Sequence, residues 1–483
     1  MTDFDTYQSP FTWRYASVEM RRLWSETHKR RLWRKVWLAL AEVQAEYGLV
    51  HPEQLAELKL HVEQVDLSRA LEIEAEIHHD LMAELKTFAE QAPSGGGALH
   101  LGATSMDIED NADVLRIRQS LDLLNARLNR LLLLFVERIE RWSDLPLIAF
   151  THLQPAEPST LGYRLAMYAQ DLLFDWEDLR RAHRRLRGKG FKGAVGTGAA
   201  NAELLGVENL AAFEAKLSTR LGLPFFPVTA QTYPRKQDYL VVSALAGLAG
   251  SLYKFAFDLR LLQSPPIGEL AEPFGKRQVG SSAMPFKRNP INAEKIDSLA
   301  RMLAQLPRLA WDNAAHSLLE RTLDDSANRR ILLPESFLIA DELLGVVDRI
   351  LRGLVVNESA IQRNLMIYGP FAASERVLMA LSKAGADRQA MHERLREASM
   401  IAWNAVSQGE ANPLAEMLLG DPVITAYLGA SEIQGLMDAS HHLGDAPHRA
   451  RLLAQTIREA VESGVHSINE KRLHMKSSAE DGS

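Results

Sequence analysis

A chain of 483 residues with 46% apolar and 24% charged side chains has the make-up of an ordinary globular protein with a large core, and its length suggests about two to four domains. Its formal charge of −7 argues against a general nucleic-acid or membrane-surface binder, and the lack of any cysteine excludes disulfides, thiol nucleophiles and cysteine-based metal sites. Residues 1–31 show no apolar leader core and no run of about 18 apolar residues occurs, so neither a secretory signal nor a membrane span is expected, and a reducing, cytoplasmic setting fits.

Residues 1–20 read as irregular, with Ser9-Pro10 and a Trp13-Arg14-Tyr15 cluster. Residues 18–47 carry a helical stripe of Leu32, Val36, Leu40 and Val43, with arginines and lysines at the other positions. Further helical patterns fill residues 52–92, and His78-His79-Asp80 falls inside one of them. Adjacent histidines do not share a helix face, so they are not a two-histidine metal pair. After the break Pro93-Ser94-Gly95-Gly96-Gly97, a polar turn His100-Leu101-Gly102-Ala103-Thr104-Ser105 leads into a helix over 107–142. Leu121, Leu124, Leu128, Leu131 and Phe135 alternate three and four apart along it, the stripe of a bundle helix.

Thr151-His152-Leu153-Gln154-Pro155-Ala156-Glu157-Pro158 interrupts the pattern before a helix over 159–186. Gly188-Lys189-Gly190-Phe191-Lys192-Gly193 formally satisfies a dinucleotide fingerprint, but an arginine-rich helix precedes it rather than an apolar strand, so it reads as a flexible connector. Gln231-Thr232-Tyr233-Pro234-Arg235 is another polar interruption. The helix after it, 237–262, is apolar nearly all round, which predicts burial on all sides at the centre of a large bundle, often one shared between subunits. Residues 291–319 and 329–355 continue the helical theme, with a break at Pro307. Between them, Arg321, Arg329 and Arg330 near Ser326 suit a phosphate or carboxylate, or a salt-bridged solvent face. From residue 362 the helices are expected to shorten into a smaller domain, and the polar stretch 476–483 to lack fixed structure. No β-alternation and no internal repeat stand out.

One stretch has the wrong composition for a packed element: Gly280-Ser281-Ser282-Ala283-Met284-Pro285-Phe286-Lys287-Arg288-Asn289-Pro290. Asn289 can cap a following helix with Pro290 at its first position. Backbone amides, the helix dipole and Lys287 would then favour an anion. A serine held among amides and a cation can exist as an alkoxide and take a proton.

This loop resembles the signature of the fumarase/aspartase superfamily, and its Ala-Met-Pro-Phe-Lys-Arg-Asn version is similar to the adenylosuccinate lyase family within it. The blocks around Arg14-Tyr15, His79-Asp80, His100 to Ser105, Thr151 to Ala156 and Lys192 to Thr197 match in the expected order, so the resemblance runs from Ser9 to about His466. It implies an all-α, three-domain protomer with a central long-helix bundle, here 1–106, 107–361 and 362–483. It also implies a homotetramer whose sites are shared between subunits, a nucleotide substrate, and no metal or organic cofactor. Fumarate would leave by β-elimination, with Ser281 as base, His152 as acid, His79 orienting that acid and Lys287 near the succinyl carboxylates. Substrate contacts carried over are Arg14, Tyr15, His78, Asp80, His100, Thr104, Ser105, Thr151, Gln231, Asn289, Lys295, Arg321, Ser326 and Arg330. His78 and Lys295 stand where the animal-type pattern has arginine; a lysine loses the bidentate fork, which leaves the contacts there open. Rival readings are another lyase or a carboxymuconate-type cycloisomerase of the superfamily, or a non-catalytic structural relative.

Overall fold

The computed structural model describes the backbone of residues 4–480 and the side chains of residues 4–463; Ser483 and its two predecessors lie outside the described residues. The chain is built mainly of helices and divides into two compact units. One contains the chain through Leu128 with Asp175–Leu252 and Ser298–Gly345; the other contains Asn129–Phe174, Tyr253–Asp297 and the chain from Val346.

In the first unit the N-terminal helical stretch is broken at Trp24-Ser25 into Val18–Leu23 and Glu26–Glu46, because Ser17 and Ser25 each turn their hydroxyl to cap the helix that follows. The expected stripe Leu32, Val36, Leu40 and Val43 is buried. Arg30 and Arg34, on what reads as the polar face, are buried too. Glu84 accepts from Arg34 Nε at 2.5 Å and Glu74 from Arg30 at 2.8 Å, so the charges enter the core as pairs. Residues 52–92 form three helices, Pro52–His61, Leu67–Ile77 and Asp80–Gln91. His78-His79 is therefore a break between helices and not part of one. His78 ends the first in the left-handed region at φ 55°, and His79 caps the next. The long helix Ser105–Arg141 has its predicted apolar stripe fully buried.

The second unit holds an antiparallel hairpin that the sequence reading does not anticipate, Pro146–Thr151 paired with Gln154–Thr160. Its register slips between Ile148 and Phe150, where Pro155 and Pro158 interrupt regular pairing. Buried Glu269 braces its base by accepting from Arg164 at 2.7 Å and Asn364 at 3.0 Å, while Arg164 also donates to the Ile148 carbonyl. A second small pair joins Leu270–Ala271 to Val355–Val356. The helix Glu358–Lys383 is 26 residues long, so the shortening of helices begins only near Leu414. Its Ala373, Val377 and Leu381 pack into a cluster with Leu395, Leu414 and Ile433. The last helix, Ala446–Glu480, runs through most of the stretch expected to lack structure.

The apolar helix Lys236–Gln263 buries Val241, Val242, Leu245, Leu248, Leu252 and Phe255, but Leu240, Phe257 and Leu261 are exposed. Burial on all sides is thus not reached within one chain. By length and composition this helix also meets the measure of a membrane span, although uninterrupted apolar runs give no such signal. Other helices include Leu161–Arg185, Ile291–Leu303, Leu306–Ala315 and Asp324–Arg352, with Pro307 in the first turn of the third.

Candidate active site

The first unit gathers the residues expected at the nucleotide end and around the histidines. Asp80 begins its helix, where Leu81 N–H donates to it at 2.8 Å, and it accepts from Arg330 at 2.8 Å. Burial would raise its pKa, but Arg330 and Lys29 outweigh that and hold it below the usual carboxylate range. His79 accepts the Met82 N–H at Nδ1, so its neutral ring carries the proton on Nε2, which lies 3.5 Å from Ser105 Oγ. His100, at φ 66°, accepts from the Trp37 indole at Nδ1, 3.0 Å away. An indole only donates, so His100 too presents Nε2–H. Its burial, only partly opposed by Asp107, pushes its pKa down and keeps it neutral. Thr104 N–H donates to Asp107 at 2.8 Å and Asp107 N–H returns to the Thr104 carbonyl at 2.9 Å, which fixes the turn that carries Thr104 and Ser105.

Asp107 also anchors the glycine-rich segment. Lys189, fully buried, donates to it, as do the amides of Lys192 and Gly193. Asn111 exchanges two hydrogen bonds with Gly190. A Cβ on Gly196, at φ +85°, would lie 1.9 Å from the Thr229 carbonyl oxygen. This loop is not a flexible connector; it is a fixed shelf pinned by a buried ion pair.

The arginine cluster splits into two roles. Arg329 is buried, donates to Asp238 at 2.9 Å and to Tyr233 Oη at 2.8 Å. Arg235, equally buried, joins Asp110 at 3.0 Å and Asp325 at 2.7 Å. Burial works to raise Asp325, but the arginines prevail and its pKa is lowered. Arg321 pairs with the other Asp325 oxygen at 2.8 Å. Arg330 and Ser326 instead line a pocket of about 100 Å³ with Lys29, Asp80, Glu109 and Arg116. Glu109 there has no hydrogen-bond partner among the described residues. Burial first, then Asp80 and Asp113, push its pKa up to about 8. Gln231 is half-buried, its amide donating to the Glu320 carbonyl at 3.0 Å. Arg14 is exposed with its guanidinium 4.4 Å from the Trp13 ring centre, and Tyr15 leans on Phe11.

The second unit carries the Gly280–Pro290 loop and the His152 turn. Ser281 Oγ accepts the Met284 N–H at 3.0 Å and the Ala283 N–H at 3.3 Å, which is the cradle the loop composition suggests. Gly280 lets the Lys287 carbonyl come close, for a Cβ there would lie 2.0 Å from that oxygen. Asn289 does not cap the next helix. Its amide donates to the Gly280 carbonyl at 2.9 Å and closes the loop. Glu272 caps the Ile291–Leu303 helix instead, accepting from Asn292 and Ala293 N–H at 3.1 and 2.9 Å. The helix-end anion site is therefore filled by the protein's own carboxylate. Lys287 is exposed, as is most of the loop around it; Lys295 is half-buried on the helix that follows.

Thr151 and His152 sit at the exposed tip of the hairpin. His152 and Leu153 both have positive φ, 52° and 59°, the geometry of a tight two-residue turn that normally takes Asn-Gly. The His152 ring has no hydrogen-bond partner among the described residues, and no hydrogen bond or ion pair joins it to Ser281, Lys287 or Asn289. The structure thus brings His79, Ser105, Asp80 and Arg330 together and leaves the acid and base candidates on separate turns. The sequence reading misses the structural roles of Asp107, Asp110 and Asp238, whose only signal is acidic side chains facing inward on otherwise apolar helices, and of Arg235, which sits in the polar turn before one of them.

A family model described as "Lyase" matches residues 13–304, and one described as "Adenylosuccinate lyase C-terminus" matches 370–451. The adenylosuccinate lyase of Saccharomyces cerevisiae is 37% identical, over 98% of this chain and 100% of its own length. That of Schistosoma mansoni is 38% identical over 97% and 98%, and that of Pyrococcus abyssi 35% over 95% and 98%. Among solved structures, 3-carboxy-cis,cis-muconate lactonizing enzyme from Pseudomonas putida matches with a TM-score of 0.83 at 26% identity, covering 94% of this chain and all of that one. Fumarate lyase from Mesorhizobium sp. BNC1 matches at 0.80 and 25% identity, covering 93% and 99%. The fold is the all-α fumarase/aspartase type, and the chain belongs to the adenylosuccinate lyase family.

Proposed function

We propose that this chain is a carbon–nitrogen lyase of purine biosynthesis that releases fumarate from adenylosuccinate, giving AMP, and from the succinylated aminoimidazole carboxamide ribotide. The observation that carries the reading is Ser281 Oγ held by two backbone N–H groups in a cation-flanked loop, on a chain similar end to end to adenylosuccinate lyases. Two amide donors favour the alkoxide over the hydroxyl. Ser281 removes a proton from the carbon beside a succinyl carboxylate. The electron pair spreads into that carboxylate, where Lys287, Asn289 and loop amides stabilise the doubled charge. It then expels the nitrogen as the carbon–carbon double bond forms, and His152 protonates the departing nitrogen. No step calls for a cofactor.

Arg321, Ser326 and Arg330 hold the phosphate in this scheme, with Arg14 and Tyr15 on the nucleoside. His78, Asp80, His100, Thr104, Ser105, Thr151, Gln231 and Lys295 line the remainder, and His79 orients the acid. The phosphate site favours this over the cycloisomerase reading that the muconate enzyme's fold likeness keeps open, because a muconate lacks a phosphate. The protomer is read as three domains, 1–106, 107–361 and 362–483; the separate match at 370–451 supports the last. It is read as a cytoplasmic homotetramer with shared sites. Exposed Leu240, Phe257 and Phe174 on long helices support a partner there. Incubating the purified protein with adenylosuccinate and following AMP and fumarate by ultraviolet absorbance tests the reading. Absence of both products overturns it.

A further inference from the structure

Two carboxylates that the proposed scheme does not use lie on the helix that carries the phosphate residues. On Asp324–Arg352, Ser326 and Arg330 occupy the first turns, and Asp341 and Glu342 follow Arg330 by 11 and 12 residues, about 17 Å along the axis. Both are buried. Asp341 Oδ2 accepts the Ser17 N–H at 2.7 Å, and Glu342 Oε2 accepts the Ala16 N–H at 2.9 Å. Ala16 has φ +63°, a conformation that costs an alanine roughly 1 kcal/mol or more and persists where surroundings enforce it. Arg127 Nε stands 3.0 Å from the other Asp341 oxygen and braces it from the Ser105–Arg141 helix, only partly offsetting the burial that raises this carboxyl's pKa.

The gripped amides directly follow Arg14 and Tyr15. Ser17 already caps the Val18–Leu23 helix through its own hydroxyl, so the two carboxylates are not needed for that cap. What they fix is the bend that sends Arg14-Tyr15 away from the helix. Resting on the nucleotide role proposed for Arg14 and Tyr15, we infer that Asp341 and Glu342 are positioning residues. A single helix, with Pro334 between the two sets of residues, sets the distance between the phosphate contacts and the nucleoside contacts, so the pair acts as a ruler for nucleotide length.

The test is steady-state kinetics of the full-length protein on adenylosuccinate. Glu342→Ala and Asp341→Ala are expected to raise KM at least fivefold with kcat within threefold. Glu342→Gln, which keeps an acceptor oxygen, should return KM to within twofold of the parent. Arg14→Ala combined with Glu342→Ala should raise KM no further than Arg14→Ala alone, since both act through one contact. If Asp341→Ala fails to fold, the Glu342 series carries the test. Unchanged KM in Glu342→Ala, equal loss in the Ala and Gln variants, or additive effects with Arg14→Ala would overturn the inference while the lyase reading stands. A parent protein without lyase activity would overturn both.

Discussion

The residues gathered in the first unit and those in the second are held by different kinds of force. In the first, Arg235, Arg329, Asp110, Asp238 and Tyr233 are locked in buried, charge-assisted hydrogen bonds, and Asp80 and Arg330 pair at the rim of a small pocket. In the second, Ser281, Lys287 and His152 ride on turns whose order comes from backbone hydrogen bonds and exposed side chains. Recognition of a charged ligand gains from groups fixed before it arrives. Proton transfer needs groups that reach the reacting atoms, and loops on a rigid scaffold supply them.

This contrast separates effects on rate from effects on stability. The largest expected change is in Ser281→Ala: kcat on adenylosuccinate should fall by about 10²–10⁴-fold with the melting temperature unchanged, as general-base loss predicts. Turnover within about tenfold of the parent would remove Ser281 as the base. Next, Arg329→Met leaves Asp238 buried without its cation, and about 3–5 kcal/mol of stability should be lost in urea unfolding. A loss below about 1 kcal/mol would mean that the network is not what holds the first unit.

Glu109→Gln is expected to act through pH. The native pKa, about 8, lies above the unfolded value, so the native state holds a proton that the unfolded chain has released. Glu109 therefore costs nothing below the unfolded pKa, and stability falls as pH rises from there toward 8. The Gln variant should gain roughly 4 kcal/mol near pH 8 and nothing at pH 4. An equal difference at both ends would reject the assigned ionisation. Least of all, Leu153→Gly relieves one left-handed residue at the hairpin tip and should stabilise by roughly 0.5–1 kcal/mol. Hydrogen exchange of the hairpin amides reports it, and faster exchange would show that Leu153 packs usefully.

The long helices were legible because three-to-four spacing needs no knowledge of partners; Leu121 to Phe135 are buried as their stripe implies. The Ser281 cradle was legible because its serine, glycine and prolines are local. The hairpin was not. Its strands carry Pro155 and Pro158, and its turn uses His-Leu where glycine normally marks such a bend. Nor was the cap of the Ile291–Leu303 helix, because Glu272 arrives from 20 residues upstream while Asn289, the local candidate, turns to Gly280. Arg30, Arg34 and Arg329 were unreadable for a related reason. A cation on a helix reads as solvent-facing until its distant carboxylate is known, and Glu84 and Asp238 lie far along the chain.

The Glu272 cap has a consequence for ligand choice. With that helix terminus already neutralised from within, it offers no spare dipole to a visiting dicarboxylate. Discrimination there falls to the loop's own ammonium and amides, so transplanting residues 280–290 from a relative should carry acid preference with it and leave the helix behind untouched.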